Sequence, residues 1–212
     1  MYRSGVMVAG PSSTIFTPRR TFARASSLVG LNFISGFELT LDTALLLRRG
    51  FPRFIYADLH SLFLGRQPDG LRVLRALPQA PDWFSAFDFI QLNEDEMAQL
   101  GSDPLAVAAS AMDQGCKTLC VTLGARGAAY FTGNPIRTER IPVPTTHPPA
   151  FTQVLDPTGS GDVFGGAVIA ALLGGASLTD AVRTGTRLGT RNLTHRGATG
   201  LRDHLMGKLS VV

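Results

Sequence analysis

An α/β fold built on a mostly parallel central sheet is the class this sequence predicts, and three observations predict it. Short apolar runs alternate with helical stretches from Leu31 onward, two of the clearest runs stop at polar residues (Asp58 and Asn93), and the helical stretches open on capping signals. Residues 1–30 are rich in Ser, Thr, Arg and Pro without a sustained period. They read as an irregular N-terminal arm or a remnant of something larger, and 31–212 as the folded domain. Within it, 31–37 predicts a strand and 39–49 a helix stopped by Gly50 and Pro52. A second strand covers 54–57, a loop with one helical turn 65–82, and a third strand 87–92. A helix follows Asn93; the pair Asp103-Pro104 then caps a second helix that runs to Gln114, where Gly115 stops it. Strands over 117–123, 128–131 and 136–143 come next, joined by turns at 124–127 and 132–135, and 144–150 is a surface loop. An apolar helix of small residues follows 158–161 and runs to Leu173. Ser177 with Asp180 three residues on opens the last long helix, to Thr194.

Composition excludes more than it names. Hydrophobic content of 44% and charged content of 17% over 212 residues rule out disorder and fibrous repeats. The net charge is +4, with arginine supplying 18 of the 20 cations. They fall as singles and pairs, such as Arg48-Arg49, rather than in a run, which argues against a nucleic-acid partner. Cys116 and Cys120 lie four apart in a predicted strand, hence about 13 Å apart on one face, too far to bridge. That spacing is not a zinc pattern either, so both read as buried thiols of a reducing compartment. The first ten residues lack a signal-peptide pattern. The longest apolar stretch, 163–175, falls short of the roughly 20 residues of a membrane span. The expectation is a cytoplasmic protein with no membrane partner.

The sharpest motif is Asp156-Pro157-Thr158-Gly159-Ser160-Gly161-Asp162-Val163-Phe164-Gly165-Gly166. Three small residues, Gly159, Ser160 and Gly161, let the backbone turn tightly and present N–H groups at a helix start, where the dipole favours an anion. Asp162 on the first turn could then take a proton from a hydroxyl attacking phosphorus. On spacing alone, a glycine-rich helix start with an ordinary first-turn Asp is an equal reading. Other phosphate signatures fail: the one Gly-Lys pair, Gly207-Lys208, lacks the upstream glycine of a P-loop, and Gly165 comes one residue late for a dinucleotide fingerprint. His60, His147, His195 and His204 read as surface or structural, because no two share a helix face at ligand spacing. Asp58, at a strand end, reads as a loop cap before a role behind a metal's ligands. Phe33, Phe37, Phe54, Phe87 and Phe89 read as core.

The motif resembles the second signature of the ribokinase-like (PfkB) carbohydrate kinases, Asp-Thr-Thr-Gly-Ala-Gly-Asp-x-Phe-x-Gly-Gly, with Pro157, Ser160 and Ala167 as the departures. Three weaker matches follow in the family's order. Asn93-Glu94-Asp95-Glu96 is similar to its Asn-x-x-Glu element, residues 121–128 to its nucleotide-binding turn, and 193–198 to its closing segment near the adenine site. Taken singly, these read as dipole-complementing acids and a tight strand connection. The resemblance implies a three-layer α/β/α fold and an ATP-dependent transfer of phosphate to a hydroxyl of a sugar or related small molecule. It makes Asp162 the base and the amides of Gly159, Ser160 and Gly161 the anion hole. Asp156, Thr158, Thr122, Gly124 and Gly127 fall on the nucleotide side, and Asn93 and Glu96 hold Mg2+ through its waters. A monovalent cation and a homodimer are admitted but not required.

The resemblance spans 31–198, whereas family members carry a lid sheet and a Gly-Gly-Asn segment that 1–30 does not show. The N-terminal lid and first strands are therefore expected to be largely missing, with exposed sheet edges and activity at risk. A kinase-derived module that binds nucleotide or supports assembly without catalysis is the alternative, and the acceptor stays open.

Overall fold

Residues 7–9, 28–144 and 154–208 are described by the structure, a computed structural model. In chain order the elements are strands β1 (Met7–Ala9) and β2 (Leu28–Asn32), helix α1 (Leu41–Gly50), strand β3 (Phe54–Asp58), a 3-10 turn (His60–Phe63), strands β4 (Leu64–Arg66) and β5 (Arg72–Leu74), helix α2 (Ala80–Ala86), and strand β6 (Phe89–Asn93). Helices α3 (Glu94–Leu100) and α4 (Pro104–Asp113), strand β7 (Thr118–Thr122), a second 3-10 turn (Gly124–Arg126), strands β8 (Ala128–Thr132) and β9 (Arg137–Ile141), and helices α5 (Ser160–Leu173), α6 (Leu178–Asn192) and α7 (Leu201–Leu205) complete the described elements. It divides into two compact units, Met1–Leu123 with Ala129–Glu139, and Gly124–Ala128 with Arg140–Val212.

The first unit is built on the sheet, whose order is β1-β2-β3-β6-β7-β8-β9. The pairings β2–β3, β3–β6 and β6–β7 are parallel, and β1 joins β2 antiparallel at one edge. Period-two alternation sends Val29, Leu31, Ile55, Ala57, Ile90, Leu92, Leu119 and Val121 to one face. There they share one buried core with Ala44 of α1, Trp83 and Phe84 of α2, Met97 of α3 and Ala108 of α4. On the other face Tyr56 and Phe89, neighbours in register, stack at 4.7 Å between ring centres. Each such fully buried side chain stabilises the fold by roughly 1.5–3 kcal/mol.

Asp88, just before β6, ties the amino ends of these strands together. Its carboxylate accepts from Arg48 Nη1 at 2.6 Å, from the Ile55 amide at 2.8 Å and from Lys117 Nζ at 2.8 Å. Burial works to raise its pKa, but the Lys117, Ile55 and Arg48 donors outweigh that and hold the carboxyl below its ordinary value.

Several sequence expectations shift. The strand placed at 31–37 runs instead over Leu28–Asn32, so the boundary drawn at residue 30 falls inside it. The chain leaves the strand for a bend in which Gly36 takes φ +78°, and a Cβ there would lie 2.4 Å from the Ser61 carbonyl oxygen. Phe37, expected in the core, is 73% exposed beneath the Arg72 guanidinium. The loop expected over 65–82 holds the β4–β5 hairpin and the start of α2, and α7 was not expected at all. Positions 145–150 of the expected surface loop, and most of the N-terminal arm, lie outside the described residues.

In the second unit α5 and α6 pack along small residues. A Cβ on Gly185 would come within 2.7 Å of Val168 Cγ2, and one on Gly189 within 3.0 Å of the Ser160 carbonyl oxygen, so α6 approaches the first turns of α5 closely because it has no side chains there. Ser177 caps α6 as expected, its hydroxyl accepting the Asp180 amide at 3.1 Å. No described helix is long and apolar enough to cross a membrane.

Candidate active site

In the first unit the parallel strands β2, β3, β6 and β7 end on the polar residues Asn32, Asp58, Asn93 and Thr122; Asn32 pairs with Asp58 and Asn93 with Thr122, while Asp58 pairs with Gln91, two residues before Asn93. The carboxyl edge of an open parallel sheet is where α/β proteins bind ligands. Asp58 is a loop cap, as expected, and more: Oδ1 accepts the His60 amide at 3.1 Å and Oδ2 accepts Gln91 Nε2 at 2.7 Å. Thr122 donates to the Leu92 carbonyl at 3.4 Å.

Asn93 and Glu96 form a complete capping box at the start of α3. The Asn93 side chain accepts the Glu96 amide at 2.9 Å, and Glu96 Oε2 accepts the Asn93 amide at 2.8 Å. Glu96 Oε1 also accepts Asn93 Nδ2 at 2.7 Å and lies 2.5 Å from His60 Nδ1, although the Glu96 side chain is only 1% exposed. From the sequence alone His60 reads as surface or structural. Its partner is 36 positions away, and the one local clue was its place two residues after a strand-ending Asp.

In the second unit the motif loop is shaped by its own side chains. Asp156 Oδ1 accepts the Thr158 amide at 2.9 Å, and the Thr158 amide and hydroxyl hold the Asp156 carboxyl below its ordinary value. Asn192 of α6 donates to the Thr158 carbonyl at 3.1 Å, and the Leu155 amide to the Leu193 carbonyl at 2.8 Å, which fastens the loop to the closing segment. Gly159 takes φ +78° as the N-cap of α5, a helix whose start has no side-chain cap. Asp162 is exposed on the first turn, and a Cβ on Gly159 would lie 3.7 Å from its Oδ2, so the carboxylate sits over the left-handed turn. Ser160 departs from a fully open nest, because its amide turns back to the Pro157 carbonyl at 3.2 Å.

The expected nucleotide turn has a structural demand of its own. Gly124 and Gly127 have φ of +54° and +93°, and a Cβ on Gly127 would lie 2.0 Å from the Ile141 carbonyl oxygen. Gly127 is thus required by a neighbouring backbone, whatever else approaches it. His204 is buried, with Nε2 3.0 Å from the Arg191 carbonyl, and stacks on His195; both are structural. His147 lies outside the described residues.

A cavity of about 530 Å3 opens at the amino end of β7, lined by residues including Met112, Cys116, Lys117 and Thr132. It lies at the opposite end of the strands from the polar edge. Its thiol is inert, since burial pushes Cys116 up to about 12; Cys120, also a free thiol, is pushed up in the same way. We place no chemistry there. Among the described residues no group of three or more His, Cys, Asp or Glu side chains could hold a metal. Glu96 is buried with both oxygens taken by Asn93 and His60, so it is not placed for direct ligation; an ion beside it would have to be met through water, which magnesium, keeping several of its waters, allows.

A family model described as pfkB family carbohydrate kinase matches residues 63–204, about two thirds of the chain. Among solved structures, ribokinase from Thermotoga maritima is 21% identical with a TM-score of 0.62, the match covering 87% of this chain and 57% of that protein. A pyrophosphate-dependent kinase of the ribokinase family, solved as a sulfate complex, gives 18% and 0.65 with 85% and 61% covered. Arabidopsis thaliana ribokinase, solved with ribose and ATP, gives 19% and 0.61 with 85% and 55% covered. The chain therefore has the ribokinase-like α/β fold and spans less than two thirds of each of these three proteins. No curated protein matches it.

Proposed function

Since the chain belongs to the PfkB family of carbohydrate kinases, we propose that it transfers the terminal phosphoryl group of ATP to a hydroxyl of a sugar or nucleoside, with Asp162 as general base. The observation that carries this reading is the exposed Asp162 carboxylate on the first turn of α5, over the left-handed Gly159 turn. The acceptor O–H gives its proton to Asp162 as its oxygen bonds to the γ-phosphorus. The bond from that phosphorus to the β–γ bridging oxygen breaks, and ADP leaves with the electron pair. Charge on the transferring group is met by the N-terminal end of the α5 dipole, worth roughly half a unit charge, and by amides of 159–161. The Ser160 amide serves only by exchanging the Pro157 carbonyl for a phosphate oxygen, so this reading expects that turn bond to open when nucleotide binds. Asp156 and Thr158 keep the loop in shape, and Thr122, Gly124 and Gly127 belong to the nucleotide side. When bound, Mg2+ would be held through its waters by Asn93 and Glu96 and would neutralise phosphate charge.

The reading is tested by following product release from ATP and Mg2+ over a panel of sugars, sugar phosphates and nucleosides, with pyrophosphate as a second donor. Turnover with ATP on one acceptor class is expected. Nucleotide binding without turnover on any of them would point to the non-catalytic module instead, and turnover with pyrophosphate alone would correct the donor.

A further inference from the structure

We infer that His60 is a positioning residue: it fixes the Glu96 carboxylate from across the sheet edge and so sets where the waters of a nucleotide-bound metal are held. The inference rests on the kinase reading above but concerns a residue that none of the recognised motifs contains.

Glu96 has three donors to its carboxylate. Two come from Asn93, at the start of the same helix, and turn with it. The third, His60 Nδ1 at 2.5 Å, is its one partner from outside that cap among the described residues. A buried carboxylate oriented only by its own helix cap would follow α3, whereas one also gripped by His60 is referenced to β3.

The base that carries the imidazole is itself fixed. The His60 amide donates to Asp58 Oδ1 at 3.1 Å. The Ser61 amide donates to the Phe33 carbonyl at 3.2 Å, and the Ser61 hydroxyl to the Ile34 carbonyl at 2.6 Å. Arg72 Nη2 reaches the Ser35 and Ser61 carbonyls at 2.6 and 3.1 Å. The close approach of Gly36 to the Ser61 carbonyl locks the same turn from the other side. This is more fastening than a surface histidine requires. The ring spans the edge from the end of β3 to the start of α3, with its side chain 54% exposed while its partner is buried. Removing a partner that aims a directly ligating group changes metal affinity by roughly 10- to 100-fold; Glu96 acts through a metal's waters, so removing His60 should cost less than that.

The test measures Mn2+ binding to the full chain in the presence of ADP, by electron paramagnetic resonance, beside ADP binding without metal. His60→Ala should weaken Mn2+ binding a few-fold, short of the roughly tenfold seen for partners of direct ligands, and leave metal-free ADP affinity unchanged. His60→Asn, which keeps a side-chain donor, should recover a large part of the loss. A merely structural role would move both affinities together or neither. Equal Mn2+ affinity in wild type and His60→Ala overturns the inference and leaves the kinase reading standing. Absence of nucleotide-dependent Mn2+ binding in the wild type overturns both. Should His60→Ala fail to fold, His60→Leu, which keeps bulk at the position but has no donor for Glu96, carries the comparison, and wild-type Mn2+ affinity in that variant overturns the inference.

Discussion

Asp162→Asn should lower kcat by about 100- to 10,000-fold, the range expected when a general base is lost, while ATP affinity stays within a few-fold of the wild type. The substitution keeps the size of the side chain but turns one acceptor oxygen into an N–H donor and removes its ability to take the acceptor's proton. Asp162 is exposed and on the first turn, so little packing changes, and the melting temperature should move little. Losing a negative charge at a helix N-terminus costs only about 0.3–1 kcal/mol in stability. The same loss removes a repulsion toward phosphate, so nucleotide binding should hold or tighten slightly. Steady-state kinetics with a productive acceptor, beside calorimetric ATP titration, check both halves. Full turnover in the variant would remove Asp162 from the reaction.

Asp88→Ala should destabilise the first unit by about 3 kcal/mol, the low end for breaking a buried ion pair, because Arg48 and especially Lys117 are partly solvated. The Ile55 amide loses its acceptor inside the sheet, and Arg48 loses the anion that anchors α1. Thermal melts should show the midpoint lowered by several degrees, roughly 2–4 °C per kcal/mol at this size. The pH dependence has a fixed sign. The folded carboxyl lies below its ordinary value, so its stabilising effect is complete above the unfolded pKa of about 4 and is lost as pH falls through the lower folded value. The gap between wild type and Asp88→Asn should therefore be widest near neutrality and close below pH about 4. A gap that widened in acid would contradict the clamp.

The α/β alternation was legible because the parallel strands read as short apolar runs and because α3, α4 and α6 carry side-chain caps at Asn93, Asp103 and Ser177. The helix start at Gly159 was legible because glycines ahead of an apolar run of small residues mark one; its chemistry was not, since the same spacing fits an ordinary first-turn Asp equally well. The β4–β5 hairpin was not, since two strands of three residues, with Gly65, Arg66 and Arg72 among them, carry too few side chains to show a period. Pro81 concealed α2 by reading as a breaker, although proline at a first helical turn costs nothing. Strand β2 was displaced because Phe33, Ile34 and Phe37 look like sheet residues. Nothing local shows that Gly36 bends the chain beneath the Ser61 carbonyl. The link between His60 and Glu96 was out of reach altogether, being a product of strand order rather than of spacing.

The measurement that bears most directly on the central claim is a crystal structure of the chain with a non-hydrolysable ATP analogue and Mg2+. The account predicts the γ-phosphate at the amino end of α5, the Ser160 amide turned from Pro157 to a phosphate oxygen, and the Asp162 carboxylate facing the γ-phosphorus from the acceptor side. A γ-phosphate bound elsewhere, with the Ser160–Pro157 turn intact and Asp162 in solvent, would contradict it.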